Sequence, residues 1–180
     1  MLSSAQIKVE IDSIWYFLWE DNKSAMVTSG DWGLIKPQDK LGYVGDIIIP
    51  SNVEYNGEIY SVESIGRSAF SCCGGMTSIT IPNTLKRTEY YAFGGCDNLN
   101  SVHISDLEAW CKIDFGTWSG NPLEFAEHLY LNGKELIDII IPEGVTSIGY
   151  HAFYKYIGLR SIIIPKSVTS IGESAFYGCI

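Results

Sequence analysis

The sequence is poor in basic residues. Its 180 residues include 12 lysines and arginines against 21 aspartates and glutamates, which gives a formal net charge of −9. A nucleic-acid partner requires a basic surface that neutralises phosphates. An anionic membrane attracts the same kind of surface. The composition therefore predicts neither nucleic-acid binding nor attachment to an anionic membrane.

Long apolar runs and catalytic motifs are also missing. No stretch approaches the ~20 apolar residues that span a bilayer, so no membrane insertion is predicted. The histidines His103, His128 and His151 lack metal-binding spacings, and there is no nucleophile elbow or phosphate-binding glycine-rich loop. Pairing of Cys111 with a histidine is a catalytic alternative that no spacing supports. The sequence thus predicts no enzyme, metal or cofactor.

What the chain does contain is an internal repeat. The phrase Ile-Gly-x-x-Ala-Phe occurs at 65–70, 148–153 and 171–176, and Ala-Phe recurs at 92–93. Phe70 and Phe93 are 23 residues apart, and so are Phe153 and Phe176. A fixed period of this length is the signature of a solenoid, in which stacked coils bury one continuous core.

One period has the composition of a single coil. The β-branched run 161–164 favours a short strand whose alternate side chains face inward. Pro165 ends that strand because it has no N–H to donate. Val168 and Ile171 then return apolar side chains to the interior, and Gly172 allows a tight corner before Phe176 enters the core.

These residues resemble the BspA-like leucine-rich repeat family, whose pattern continues after the phenylalanine as x-x-Cys-x-x-Leu-x-x-Ile-x-Ile-Pro-x-x-Val. Three departures weaken single coils: Thr88-Glu89 stands for Ile-Gly, Ser105 for proline and Tyr156 for cysteine. The resemblance implies an α/β-type solenoid that is mostly β, namely a right-handed leucine-rich repeat superhelix with 23-residue coils and a β-rich N-terminal cap. It also implies an extracellular or bacterial cell-surface location.

The repeat divides the chain into residues 1–62, an N-terminal β cap with the first coil, and residues 63–180, the repeats. The cap contains two predicted hairpins, one joining Ile14–Trp19 to Ala25–Thr28 and one turning at Asn56-Gly57. Residues 31–39 are predicted to be loop. The aromatic cluster of Trp15, Tyr16, Phe17 and Trp19 is expected to belong to the cap, because half of an amphipathic hairpin is normally core, with a sugar-stacking surface as the alternative.

A divergent insertion at 105–137 interrupts the period. Asp106–Cys111 is predicted to be a short helix capped by Asp106 or Ser105, and Glu124–His128 another. Leu129–Leu131 and Leu136–Ile141 are predicted to flank a turn at Asn132-Gly133. Insertions in solenoids map to one face, often the binding face, so the glycine-flanked Trp118 is a candidate binding residue.

The five cysteines follow the same repeat logic. Cys73, Cys96 and Cys179 each stand three residues after a phenylalanine, so we expect them to be reduced and buried as small apolar residues. A Cys73–Cys96 bridge between neighbouring coils is the alternative. Cys72 and Cys111 lie outside this phase and are predicted to be more exposed.

Alternation along the strands predicts a binding face. Strands at 47–49, 79–81, 102–104, 139–141 and 162–164 are expected in one parallel sheet. The predicted inward residues are Ile79, Ile81, Val102, Ile104, Ile162 and Ile164. The predicted outward row is Ile48, Thr80, His103, Ile140 and Ile163, flanked by Asp46, Ser78, Ser101, Asp138 and Ser161. Exposed isoleucines with a polar rim are typical of interaction sites, although β-propensity alone also selects isoleucine here.

The sequence therefore favours a non-catalytic surface module that binds a protein, from host matrix or cell surface, or a glycan through its repeat face. The alternative is an accessory domain of a larger polysaccharide-processing enzyme or transport system. Residues 1–10 show no signal-peptide pattern, so the resemblance implies a mature part or a piece of an exported protein. End-to-end self-association near Phe176 is also expected, because an uncovered coil presents a strand edge.

Overall fold

The fold is described from a computed structural model, for residues 6–30 and 42–179. In these ranges the chain forms mostly short strands, with one α-helix and two 3-10 helices, Trp118–Gly120 and Pro122–Glu124. The predicted loop at 31–39 lies outside the described residues. The strands and the helix are β1 Gln6–Ile11, β2 Ile14–Trp19, β3 Ser24–Thr28, β4 Val44–Ile48, β5 Asn52–Tyr55, β6 Glu58–Ile65, β7 Gly75–Ile81, β8 Arg87–Thr88, β9 Ser101–Ile104, α1 Leu107–Cys111, β10 His128–Leu131, β11 Lys134–Glu135, β12 Asp138–Ile140, β13 Ser147–Ile148, β14 Ser161–Ile163 and β15 Ser170–Ile171.

The N-terminal strands form a sheet that continues into the coils. β1, β2 and β3 pair antiparallel in sequence order, and β3 then pairs parallel with β6. β5 and β6 form a hairpin whose turn residues Asn56 and Gly57 both have positive φ, as a type I′ turn requires. Both hairpins predicted from the sequence are confirmed.

The aromatic cluster of β2 is only partly in the core. Tyr16 is buried between Ile14 and Leu18, which are buried too. The expectation that half of this hairpin strand is core is confirmed, and the other members of the cluster lie on the opposite face because successive side chains of a strand alternate. These half-buried residues are Trp15, Phe17 and Trp19.

Two ladders of parallel strands run along the solenoid. The first ladder contains β4, β7, β9 and β10, and in the later coils β12 with β14. The second ladder contains β6 with β8, and later β13 with β15. Between the second ladder and the next strand of the first, each coil passes through a tight turn that carries its phenylalanine. The predicted solenoid of leucine-rich repeat type is confirmed.

The phenylalanines and cysteines of successive coils are connected in register. The rings of Phe70 and Phe93 stack with centroids 5.3 Å apart, and those of Phe153 and Phe176 stack at 5.4 Å. The Cys96 thiol donates a hydrogen bond to the carbonyl of Phe70 in the preceding coil, and Cys179 repeats this contact with Phe153. Equivalent residues therefore make equivalent contacts in distant coils.

Tyr156, which replaces the cysteine in its coil, adapts this contact to a larger side chain. Its hydroxyl donates to the carbonyl of Leu136 at 3.0 Å and accepts from the N–H of Leu129 at 3.4 Å. The tyrosine is fully buried. Its hydroxyl thus satisfies main-chain groups of the central segment that a shorter cysteine would not reach.

The prediction of a single parallel sheet was wrong. After β10 the chain reverses at Asn132-Gly133, and β11 pairs antiparallel with β10, so that edge is not available to β12. β12 and β14 form a separate parallel pair. The predicted helix at 124–128 was also wrong, because a 3-10 helix begins earlier, at Pro122, and His128 already starts a strand.

The inward positions agree with the predicted phase except in the last coil. Ile79, Ile81, Val102 and Ile104 are buried, as expected. Ile162 is half-buried, and Ile164 was wrongly predicted to be buried, because 38% of it is exposed. Its counterpart one coil earlier, Ile141, is covered by that last coil, whereas no further coil follows Ile164 among the described residues.

Candidate functional site

The predicted outward residues form two separate paired sets, together called the strand-face row: one on β4, β7 and β9, and one on β12 and β14. Ile48 pairs with Thr80 on the next strand, and Thr80 pairs with His103. In the later coils Ile140 pairs with Ile163. Neighbouring strands lie about 4.8 Å apart, so the outward side chains within each set are closely spaced.

The isoleucines of this row face solvent. Ile48, Ile140 and Ile163 have 68%, 67% and 60% of their surface exposed, whereas the intervening inward residues Ile79 and Ile139 are buried. β-propensity selects a β-branched residue at such a position, but threonine or valine satisfies it equally. Three isoleucines in one row therefore supply more exposed apolar surface than strand formation requires.

Tyr130 is part of the row and was missed by the sequence reasoning. It pairs with His103 across β9 and β10, and the two rings stack with centroids 4.9 Å apart and planes 12° from parallel. The His103 ring also contacts the Ser101 hydroxyl at 3.2 Å. The alternation in His128-Leu-Tyr-Leu131 was the available signal, because it matches that of Ser101-Val-His-Ile104 on the neighbouring strand.

Hydrogen-bonded carboxylates flank the row at both ends. Asp46 accepts hydrogen bonds from the hydroxyls of Ser78 and Thr77, and these bonds hold its pKa below the ordinary value. Asp138 accepts from Arg160 through both oxygens and from Ser161, and its pKa is lowered in the same way. Both acids are solvent-facing, and Arg160 neutralises Asp138, so the row carries a polar rim.

Trp118 does not join this row. It lies in a 3-10 helix at the corner that follows the second ladder, and its ring meets that of Tyr91 edge-on, with centroids 6.4 Å apart. Tyr91 in turn contacts Tyr90, and Arg67 lies 5.7 Å from the Tyr90 ring. The two tyrosines and the tryptophan are all exposed. Trp118 thus belongs to an aromatic corner on a different face of the coil.

The cysteines are reduced thiols, as predicted, but two of them were placed wrongly. Cys179 was predicted to be buried, yet it is only half-buried, because it lies in the last described coil. Cys72 is exposed and Cys73 and Cys96 are buried. Cys111 was predicted to be more exposed, yet it is fully buried, and burial raises its pKa to about 12. The cause is helical phase: α1 turns Leu107, Trp110 and Cys111 toward the core. A thiol in this position has neither the exposure nor the thiolate character of a nucleophile.

Within residues 6–30 and 42–179, no group of three or more histidine, cysteine or acidic side chains is arranged to hold a metal ion. The same residues contain no helix that is long and apolar enough to cross a membrane. The α1 helix predicted from Asp106 is present, with the Asp106 carboxylate accepting from the N–H of Ala109 at 3.0 Å. Its role is to pack against the core.

The stacked parallel ladders with stacked phenylalanines in successive coils are the fold of a leucine-rich repeat solenoid. More specifically, residues 123–180 match the family model described as the BspA type leucine rich repeat region. This segment therefore consists of BspA-type repeats, and the resemblance inferred from the repeated phrase is confirmed. A comparison with curated proteins found no match.

Two solved structures are similar to almost the whole chain. A leucine rich cell surface protein from Faecalibacterium prausnitzii is 27% identical with a TM-score of 0.54, and the match covers 98% of this chain and 48% of that one. A leucine-rich repeat protein from Bacteroides ovatus is 24% identical with a TM-score of 0.50, covering 95% and 45%. The present chain thus spans about half the length of these relatives.

Proposed function

We propose that the chain is a non-catalytic interaction module of the bacterial cell surface, which binds a protein or glycan partner through the strand-face row. The observation that carries this proposal is the set of exposed isoleucines, Ile48, Ile140 and Ile163, beside hydrogen-bonded polar groups. Apolar side chains of this size lose water favourably when a partner covers them. The Faecalibacterium relative is a cell surface protein, which supports the location.

A protein is the partner that the row fits better. The exposed isoleucines offer neither a flat ring for a sugar face nor a hydrogen bond for a hydroxyl, and the half-buried Tyr130 ring already stacks on His103. Apolar patches with a polar rim are typical of protein interfaces. An accessory role in a polysaccharide-processing enzyme or transport system is the second candidate. A neighbouring catalytic domain in the full-length protein would favour it.

The test is a double substitution on the row, Ile140→Lys with Ile163→Lys. The matched control is Ile59→Lys, because Ile59 is 64% exposed but lies in the β5–β6 hairpin. Binding is measured by biolayer interferometry against purified host matrix proteins and soluble glycans. Burying one isoleucine contributes about 1.5–3 kcal/mol, so the double variant should bind at least tenfold more weakly.

Circular dichroism must show that the double variant retains its fold, since a general loss of structure also weakens binding. The control variant should bind like the unmodified protein. If the folded double variant keeps its affinity for the partner found, the strand-face row is not the binding site.

A further inference from the structure

A cleft lies where the N-terminal sheet meets the coils, and it is here called the cap cleft. Its volume is about 640 Å³, within the range of about 300–1,000 Å³ usual for ligand sites. Trp19, Asp21 and Asn22 line it from the β2–β3 turn, and Arg87 and Asp114 line it from two successive coils. The cleft belongs to the second ladder, so it is separate from the strand-face row.

The tryptophan faces this cleft because of strand alternation. In β2 every second side chain enters the core, which leaves Trp15, Phe17 and Trp19 half-buried on the outer side of the sheet. Among these, Trp19 is at the end of the strand and packs against Phe17 with ring centroids 6.5 Å apart. The strand therefore contributes one aromatic side chain to the core and the others to an outer surface.

The polar walls of the cleft are held by hydrogen bonds. On the cap side, the Asn22 carbonyl oxygen of the side chain accepts from both the N–H and the hydroxyl of Ser24. On the coil side, the main chain of Lys86 connects Glu63 to Asp114 through hydrogen bonds of 2.8 and 3.0 Å. A site whose walls are already ordered loses little conformational entropy when a ligand binds.

Several polar groups remain available to a ligand. Across the part of the chain that the structure describes, Arg87 makes no ion pair and the Asn22 side-chain nitrogen makes no hydrogen bond. Asp21 and Asp114 each use one carboxylate oxygen to accept from a nearby main-chain N–H, which leaves the other oxygen for an added donor. The cleft thus combines one large ring with planar donors and acceptors.

This combination matches the chemistry of a sugar. A pyranose ring has an apolar face of C–H groups, which packs on an indole ring, and a rim of hydroxyls, which both donate and accept hydrogen bonds. The charge of the cleft excludes a polyanion, because Lys86 is already paired with Glu63 at 2.8 Å. Asp21 and Asp114 then outweigh the single cation of Arg87.

We propose that the cap cleft binds a neutral oligosaccharide segment of a glycan. The indole of Trp19 stacks on one sugar ring, and Asp21, Asn22, Arg87 and Asp114 hydrogen-bond its hydroxyls. The proposal does not depend on the strand-face row, since the two surfaces lie on different ladders. A protein partner on the row and a glycan in the cleft are compatible.

The experiment is affinity electrophoresis of the whole chain through native gels that contain xyloglucan, mixed-linkage β-glucan, galactomannan or arabinoxylan. We expect at least one of these neutral polysaccharides to retard the protein. Trp19→Ala should then reduce retardation at least tenfold in apparent affinity, whereas Trp118→Ala should not, because Trp118 lies in the aromatic corner. The row variant with Ile140→Lys and Ile163→Lys should be retarded like the unmodified protein.

Because Trp19 is half-buried, its replacement can disturb the sheet, so a second variant tests the same site through exposed groups. Arg87→Gln combined with Asp114→Asn removes both charges at exposed positions and should also weaken retardation. Absence of retardation by all four polysaccharides overturns the proposal, whatever protein the row binds. So does full retardation of both cleft variants.

Discussion

Replacing Phe153 by alanine tests the central feature of the fold, the phenylalanine that each coil places in the core. Phe153 is fully buried and stacks on Phe176 of the next coil. Phe176 stands at the equivalent position but is only half-buried, because it lies in the last described coil. The two substitutions therefore remove the same kind of ring from equivalent positions that differ in how deeply the ring is buried.

The expected losses differ by the cavity that each substitution leaves. Transfer of a buried phenylalanine from water contributes about 1.5–3 kcal/mol. The cavity term raises the cost of Phe153→Ala to about 3–5 kcal/mol of unfolding free energy. At Phe176 the ring is half-exposed and solvent can enter the space, so we expect roughly 0.75–1.5 kcal/mol, half of the transfer contribution.

Urea unfolding followed by far-ultraviolet circular dichroism measures both losses. With a slope of about 2 kcal/mol per molar urea, Phe153→Ala should lower the midpoint by about 1.5–2.5 M and Phe176→Ala by less than about 1 M. A loss at Phe153 no larger than about 0.5 kcal/mol, which is typical of surface positions, would show that the ring is not core. Equal losses at both positions would show that burial of the ring by a following coil does not determine the cost of its removal.

Three further predictions concern the thiols, acid pH and the last coil. A thiol reagent should label Cys72 in the native protein, while Cys96 and Cys111, whose pKa values burial raises, should react only after unfolding. The lowered pKa of Asp138 stabilises the fold above about pH 4 and this contribution disappears as the pH falls through the folded pKa. The urea midpoints of Asp138→Asn and the unmodified protein should therefore converge between pH 7 and pH 3. The apolar edge at the last coil is expected to pair with a second copy of the chain. Ile171→Lys places a charge at a half-exposed residue of β15 and should therefore shift the sedimentation profile toward the monomer. An unchanged profile would exclude this edge as the contact.

The repeated phrase was sufficient to predict the solenoid, because one sequence period generates one set of contacts. It placed the phenylalanine and cysteine positions and the outward phase of the strands. It was insufficient at the last coil, where the exposure of Ile164 depends on whether another coil follows and not on its own phase.

The central segment was the least predictable part. Val102 pairs with Ile79 at the regular period of the repeat, whereas Leu129 pairs with Val102 across a longer stretch of chain. The additional residues form the α1 helix and the 3-10 helices. The direction in which each helix turns its side chains buries Cys111 and brings Trp118 against Tyr91. Those contacts are tertiary, so neither period nor composition contains them.

The pairing of strands in the first ladder has a practical consequence for protein engineering. Ile47 pairs with Ile79, Ile79 with Val102 and Val102 with Leu129, although the length of chain between the partners differs at every step. The paired residues stay in register because main-chain hydrogen bonds between neighbouring strands set the distance between those strands. The exposed turns Asn56-Gly57 and Asn132-Gly133 are therefore suitable sites for inserting a peptide epitope or a fluorescent label, since added residues there leave every pair in place.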